Sequence, residues 1–189
     1  MNKLISIAFA GLMALPATAG EFDQALRFFL DDEIRNWAHS PELVAAINAQ
    51  NLVTAGLSQG DIDSMDQAWR SEAAADAADT ITPVLNNPLS AFLRRQVADS
   101  AGAMTEVIVM DARGLNVAVS EITGDYWQGD EAKHIDTYAV GADAVHISEL
   151  EVDGSTGKYQ GQISLTIVDP ASGQPIGALT VGVIADALM

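Results

Sequence analysis

The chain contains no cysteine and few basic side chains, and each shortage argues against a class of protein. Without cysteine there is no disulfide framework, no thiol nucleophile and no thiolate metal site. Lysine and arginine together number 9 against 26 acidic residues, which gives a formal net charge of −17. Nucleic acids and anionic lipids are bound through basic patches. The composition therefore argues against both as partners.

Motifs for catalysis, cofactor binding and metal binding are also missing. The sequence has no serine nucleophile elbow, no glycine-rich phosphate loop and no histidine pair at metal-ligand spacing. The neighbouring acids Asp130 and Glu131 would diverge on a helix and make a poor acid–base couple. We expect no enzymatic activity, no cofactor and no metal site.

The one long apolar run lies at the amino terminus. Residues 1–19 carry a single cation, an apolar run over residues 4–15, Pro16 and the small-residue triplet Ala17-Thr18-Ala19. This pattern predicts a secretory signal peptide cleaved before Gly20, because the apolar run is too short to span a bilayer. The alternative is an uncleaved amino-terminal anchor. We expect a periplasmic protein that does not insert into the membrane after cleavage.

Helical periodicity fills residues 20–103. Apolar residues recur at spacings of three and four, which places them on one stripe of a long helix; they are Phe22, Leu26, Phe29, Leu30, Ile34 and Trp37. Ser40-Pro41 is typical of a helix start, and it marks either a turn or a kink in one helix. Further helices are predicted after Ser58 and from Asn87-Pro88.

After Gly102 the apolar period changes from about 3.6 to 2 residues, so residues 104–189 are predicted to form a sheet. Five strands are expected; short turns at Asp111–Gly114 and Asp169–Gly173 make their neighbours antiparallel. Leu115, Val117 and Val119 are predicted to lie on one strand face, opposite Asn116, Ala118 and Ser120. The predicted fold class is α+β. A single domain over residues 20–189 would pack a long amino-terminal helix and a helical layer on one face of the sheet.

The alternation of apolar residues is interrupted between residues 145 and 152. Val145 and Ile147 lie on one face of a predicted strand and Leu150 and Val152 on the other. The slip indicates either a bulge near Ser148 or the end of the strand.

The order of these elements resembles the Cache superfamily of bacterial sensors, also called PDC or extracellular PAS-like domains. The resemblance covers Glu106–Val183. It rests on a strand, a D-A-R-G turn, a second strand, the segment SEITGDYWQGDEAK, three strands and the motif DPxSGxPIGALTVGV. It implies a PAS-like sheet with a ligand held between one sheet face and residues 123–144. Family members usually continue into a transmembrane helix, whereas this sequence stops at Met189. We therefore expect a stand-alone periplasmic form.

The segment 123–144 is the most chemically varied part of the chain, and aromatic walls with a few polar groups are what small-molecule pockets require. Gln162, Ser164 and Thr166 alternate along one strand and would face this segment. A merely solvated sheet face gives the same alternation. The resemblance adds Asp169, which would hold a ligand amine unless it is a turn residue before Pro170. The predicted ligand-binding residues are Tyr126, Trp127, Asp130, Lys133, His134, Tyr138, Gln162, Ser164, Thr166 and Asp169.

The sequence thus predicts a periplasmic sensor-type protein that binds a small polar metabolite, a carboxylate or an amine. It would signal through a membrane sensor kinase, chemoreceptor or cyclase. The alternative is an interaction module that binds no ligand and acts as a regulatory subunit of a two-component or chemosensory system.

Overall fold

The computed structural model describes residues 19–75, 78–152 and 158–188. The predicted signal peptide, apart from Ala19, lies outside the described residues. None of the helices within the described ranges is both long and apolar enough to cross a membrane. The helical elements are α1 (Ala19–Phe29), a π-helical turn (Leu30–Ile34), α2 (Arg35–Ala38), α3 (Pro41–Thr54), α4 (Gln59–Ala73), α5 (Ile81–Leu85), α6 (Pro88–Asp99), α7 (Ala132–Ile135) and a final 3₁₀ turn (Ala185–Leu188).

The strands form one antiparallel sheet in the order β2-β1-β6-β5-β3, with the two-residue β4 also paired to β5. The strand bounds are β1 (Met104–Asp111), β2 (Asn116–Val119), β3 (Val145–Ile147), β4 (Glu151–Val152), β5 (Tyr159–Val168) and β6 (Pro175–Ile184). The predicted α+β class with an antiparallel sheet is confirmed.

Each face of the sheet packs against its own apolar cluster. Val109, Leu165 and Leu179 project to one face, where they join residues of α1, α3 and α6. Met110 and Ala178 project to the other face and pack with Trp69 of α4 and with residues of α5. Helices α1, α3 and α6 therefore cover the first face of the sheet. Trp69 of α4 and residues of α5 contact the second face.

The apolar stripe predicted for the first helix is confirmed, and it passes through a π-helical turn. Leu26, Leu30, Ile34 and Ala38 are buried at a constant spacing of four residues. In an α-helix of about 3.6 residues per turn, that spacing drifts around the axis. The wider i→i+5 turn at Leu30–Ile34 offsets the drift. All four side chains consequently face the sheet.

The helix starts follow the predicted caps. Ser40 is extended between α2 and α3, so Ser40-Pro41 is a true break and not a kink. Ser58 and Asp61 form a reciprocal capping box at the start of α4, and the Asn87 side chain accepts a hydrogen bond from Ser90 N at the start of α6.

The regular alternation predicted for residues 115–120 is wrong. Ala118 pairs with Val109, but the next pair is Asn116 with Met110, so Val117 is an extra residue on β2. Because of this bulge, Val117 and Ala118 both belong to the cluster on the helical face, and Val119 belongs to the opposite one. Asn116 and Ser120 do not form the matching polar set that simple alternation predicts.

The phase slip predicted near Ser148 does end a strand. β3 pairs Ile147 with Ile163, and β4 pairs Glu151 with Gln160. The two registers differ by one residue, which reverses the alternation. Leu150 therefore packs on the same cluster as Val145 and Ile147, and its predicted position on the opposite face is wrong. Asp153, which follows β4, lies outside the described residues.

Candidate functional site

The segment between β2 and β3, residues 121–144 (the insert), covers the second face of the sheet. Its short helix α7 packs against β5 and β6. His134 of α7 is buried and its Nε2 lies 3.2 Å from the carbonyl oxygen of Asp111, the last residue of β1. The insert is therefore anchored to the sheet at its centre.

Helix α4 holds the beginning of the insert. Asp66 Oδ1 accepts hydrogen bonds from the backbone N–H groups of Tyr126 (2.8 Å) and Trp127 (3.1 Å). Trp69 Nε1 donates to Thr123 O at 2.8 Å, and its ring stacks on Tyr126 with centroids 5.3 Å apart. This clamp could not be predicted from sequence, because the groups that Asp66 binds are backbone N–H groups, which almost every residue carries.

The two aromatic residues predicted as ligand walls have different surroundings. Tyr126 is packed in the second apolar cluster, and burial raises the pKa of its hydroxyl to about 12, with the Asp111 charge acting in the same direction. Trp127 donates its indole N–H to Arg113 O at 2.8 Å, and its ring lies where a side chain on Gly129 would have to be. Both rings are half-buried and are fixed by protein contacts.

A charged cluster lies where the insert meets the polar face of the sheet. Lys133 Nζ donates to Gln128 Oε1 at 2.9 Å and lies 3.1 Å from Glu131 Oε2. Across from it, Gln162 Nε2 donates to Glu106 Oε1 at 3.3 Å. Burial raises the pKa of the Glu106 carboxyl, and the charge of Lys133 partly offsets this. The cluster joins two predicted residues, Lys133 and Gln162, to a carboxylate that sequence reasoning overlooked.

Beside this cluster, small hydroxyl residues form the floor beneath the insert. Ser164 Oγ and Thr180 Oγ1 lie 2.9 Å apart and share a hydrogen bond. Thr166 is buried, and its Oγ1 has no hydrogen-bond partner among the described residues. His134 stacks on Tyr138 with centroids 5.1 Å apart, and burial lowers the pKa of its imidazole.

The structure places the last two predicted site residues differently. Asp130 is exposed on the insert. Asp169 Oδ1 accepts a hydrogen bond from Ala171 N at 2.8 Å, which is the Asx-turn arrangement, in the hairpin turn between β5 and β6. Among the described residues, no hydrogen bond or ion pair joins either side chain to Lys133, Glu106 or Gln162.

A large groove lies at the β2 edge of the sheet, next to Tyr126. Its volume is about 750 Å³, and α3, α6, Met65, Val117 and Tyr126 line it. Of the ten predicted site residues, only Tyr126 reaches it. Many of its helical wall residues are alanine, valine, leucine or phenylalanine, which in sequence are indistinguishable from core positions.

Comparison with known proteins gives structural likeness only. No family model matches the chain, and no curated protein sequence matches it. Solved structures that it resembles include bacterial sensor domains.

The sensor domain of the histidine kinase DctB from V. cholerae is 15% identical with a TM-score of 0.38; the match covers 90% of this chain and 57% of that one. The ligand-binding domain of the Campylobacter jejuni chemoreceptor Tlp3, in complex with 4-methylisoleucine, is 14% identical with a TM-score of 0.41, covering 88% and 61%. The Pseudomonas aeruginosa amino acid chemoreceptor PctC, in complex with GABA, is 19% identical with a TM-score of 0.37, covering 69% and 58%. The chain thus spans less than two thirds of each. These values are too low to transfer a ligand or a partner.

Proposed function

We propose that the chain is a periplasmic sensor-type domain that binds a small polar molecule between the insert and the sheet, as its resemblance to Cache domains implies. The observation that carries the proposal is the Lys133–Glu106–Gln162 cluster at the interface between the insert and the sheet. Ionisable groups at a buried interface reduce stability unless they are fully paired. Such groups are commonly retained where they bind a ligand.

The cluster offers complementary chemistry to a small metabolite. The Lys133 side chain is only 11% exposed, so its ammonium group would interact strongly with a ligand carboxylate in a site shielded from water. Glu106 supplies an acceptor for a ligand amine or hydroxyl. Trp127 and Tyr138, both half-buried on the insert, would provide the apolar walls.

Ligand entry requires the insert to move away from the sheet. Ser164, Thr166 and Thr180 are each at most 2% exposed beneath it. Movement of the insert would also be the natural output of such a site, because a ligand shifts the balance between two conformations when it binds one of them better. The partner that reads this change would be a membrane sensor kinase, chemoreceptor or cyclase.

The proposal is tested with a thermal-shift screen of carboxylates, amines and amino acids, followed by calorimetry of each hit. Lys133→Gln and Glu106→Gln should each weaken a confirmed ligand about tenfold or more, because each removes one charged contact. Asp130→Asn, an exposed substitution on the same insert, is the matched control. A confirmed ligand that bound both cluster variants as tightly as the wild type would refute the site.

A second candidate function is an interaction module without a ligand. The observation in its favour is the exposed apolar surface of α3, where Leu52 and Val53 are 86% and 77% exposed. Affinity capture from periplasmic extract with the wild type and a Leu52→Glu variant tests it. A membrane signalling protein recovered only with the wild type, combined with an empty ligand screen, would favour this function over the first.

A further inference from the structure

We infer that the groove at the β2 edge is a second binding site, separate from the Lys133–Glu106–Gln162 cluster, for an amphipathic small molecule with an apolar body and a carboxylate head. Its volume of about 750 Å³ lies within the usual range for small-molecule sites, roughly 300–1,000 Å³. The inference does not depend on the function proposed for the insert.

The walls of the groove are formed by two helices that present small or apolar side chains. Ala46, Ala49 and Val53 line it from α3, and Leu89 and Phe92 line it from α6. The spacing along α3 keeps the alanines on one face, where their short side chains leave room between the helices. Met65 and Tyr126 line the groove as well, and the flexible thioether of methionine adapts to ligands of different shape.

The polar groups deep in the groove are already engaged as donors. Gln50 Nε2 is directed at Asp111 Oδ2, Leu115 O and Asn116 O, at 3.1–3.3 Å. Asn87 Nδ2 is shared between two carbonyl oxygens, and the Thr54 hydroxyl donates to Asp111. These groups offer a ligand acceptors but few free donors. A carboxylate head would therefore be poorly solvated there and would bind better at Arg95.

Among the described residues that line this groove, Arg95 is the one cation. Its guanidinium lies 5.8 Å from the centroid of the Phe92 ring, and no described carboxylate is within ion-pair distance of it. Glu42 also lines the groove and opposes an anion. In a chain with a net charge of −17, the overall field repels anions, so saturable binding of one requires a local cation such as Arg95.

Calorimetric titration of the purified protein with octanoate, 1-octanol and octylamine at neutral pH tests the assignment. We expect one saturable site at which octanoate binds at least about fivefold tighter than octanol, and octylamine binds more weakly than either. No saturation, or a preference for octylamine, would overturn the assignment.

Two matched pairs of variants locate the site. Ala49→Trp fills the groove and should weaken octanoate about tenfold or more, whereas Ala45→Trp, exposed on the same helix outside the groove, should not. Arg95→Gln should abolish the preference for octanoate over octanol, and its neighbour Arg94→Gln should leave it intact. Equal effects within either pair would contradict the groove as the site. So would loss of octanoate binding in Glu106→Gln, because that would place the ligand beneath the insert.

Discussion

Thr54 Oγ1 donates a hydrogen bond to Asp111 Oδ2 at 2.8 Å and so ties the last residue of α3 to the last residue of β1. Gln50 Nε2 donates to the same oxygen at 3.1 Å, while Oδ1 accepts the backbone N–H groups of Arg113 (2.8 Å) and Leu115 (3.0 Å). This fully buried carboxylate therefore fixes the β1–β2 turn and the end of α3 together.

Replacing this carboxylate should be among the most damaging conservative changes in the chain. Both carboxylate oxygens of Asp111 accept hydrogen bonds. In Asp111→Asn one of these oxygens is replaced by an NH₂ group, which cannot accept, so the buried donors on that side lose their partner. We expect the free energy of unfolding to fall by about 2–4 kcal/mol, measured by urea denaturation. Asp169→Asn is the control, because asparagine also forms Asx turns; it should cost less than about 0.5 kcal/mol. Equal losses would contradict the role assigned to Asp111.

Glu106 should make the protein less stable as the pH rises. Burial raises the pKa of this carboxyl above the ordinary value of 4.5, so the folded state holds its proton more tightly than the unfolded state does. Its favourable contribution is complete below pH 4.5 and is lost as the pH rises through the folded-state pKa. Glu106→Gln should therefore be more stable than the wild type at pH 7. In thermal melts, its unfolding midpoint should change less with pH above pH 4.5 than that of the wild type. Glu149→Gln, an exposed change at a residue that does not act on Glu106, should leave the slope unaltered.

His134 should have the opposite dependence. Burial lowers the pKa of its imidazole below the ordinary value of 6.5, against a smaller raising effect of its contact with Asp111. The unfolded state then binds the proton more readily, so the contribution is complete above pH 6.5 and declines as the pH falls toward the folded-state pKa. His134→Gln should reduce this loss of stability on acidification. If the stability of the variant fell with decreasing pH as steeply as that of the wild type, His134 would not be the group responsible for this dependence.

Asp66 should control the mobility of the insert. Asp66→Ala removes the acceptor for the N–H groups of Tyr126 and Trp127, so these amides should exchange with solvent about tenfold faster or more. Hydrogen exchange followed by mass spectrometry measures this directly. Asp63→Ala on the same helix is the control, because Asp63 bonds only to Gln59 within α4 among the described contacts. Unchanged exchange at residues 126 and 127 would refute the clamp.

The features that could be predicted from sequence are those encoded by neighbouring residues. Caps such as Asn87, the turn glycine Gly114, with a φ of +79°, and the alternation of Ile163 and Leu165 all depend on local chemistry. The register of β2 could not be predicted, because the bulge at Val117 depends on how β1 pairs with it.

The candidate site was only partly predictable for a related reason. Lys133 and Gln162 belong to segments with evident polar patterning, whereas Glu106 joins them only through the register of β1 in the sheet. Asp66 reads in sequence as one more acid on a helix, since its partners are backbone amides 60 and 61 residues away. The groove needs α3, α6 and Tyr126 in their final positions before it exists at all.

The sheet and α3 also meet too closely at Gly177 for any side chain. A Cβ at this position would lie 2.1 Å from the carbonyl oxygen of Met110 and 3.1 Å from Ile47 Cγ2. The first contact is with backbone in a central strand, which cannot move without breaking the β1–β6 pairing. Gly177→Ala should therefore lower stability by about 3 kcal/mol or more. Gly124→Ala, where no heavy atom lies within 4 Å, is the matched control and should be nearly neutral. Similar unfolding midpoints for the two variants in urea would mean that β1 and β6 tolerate a wider separation than this packing allows.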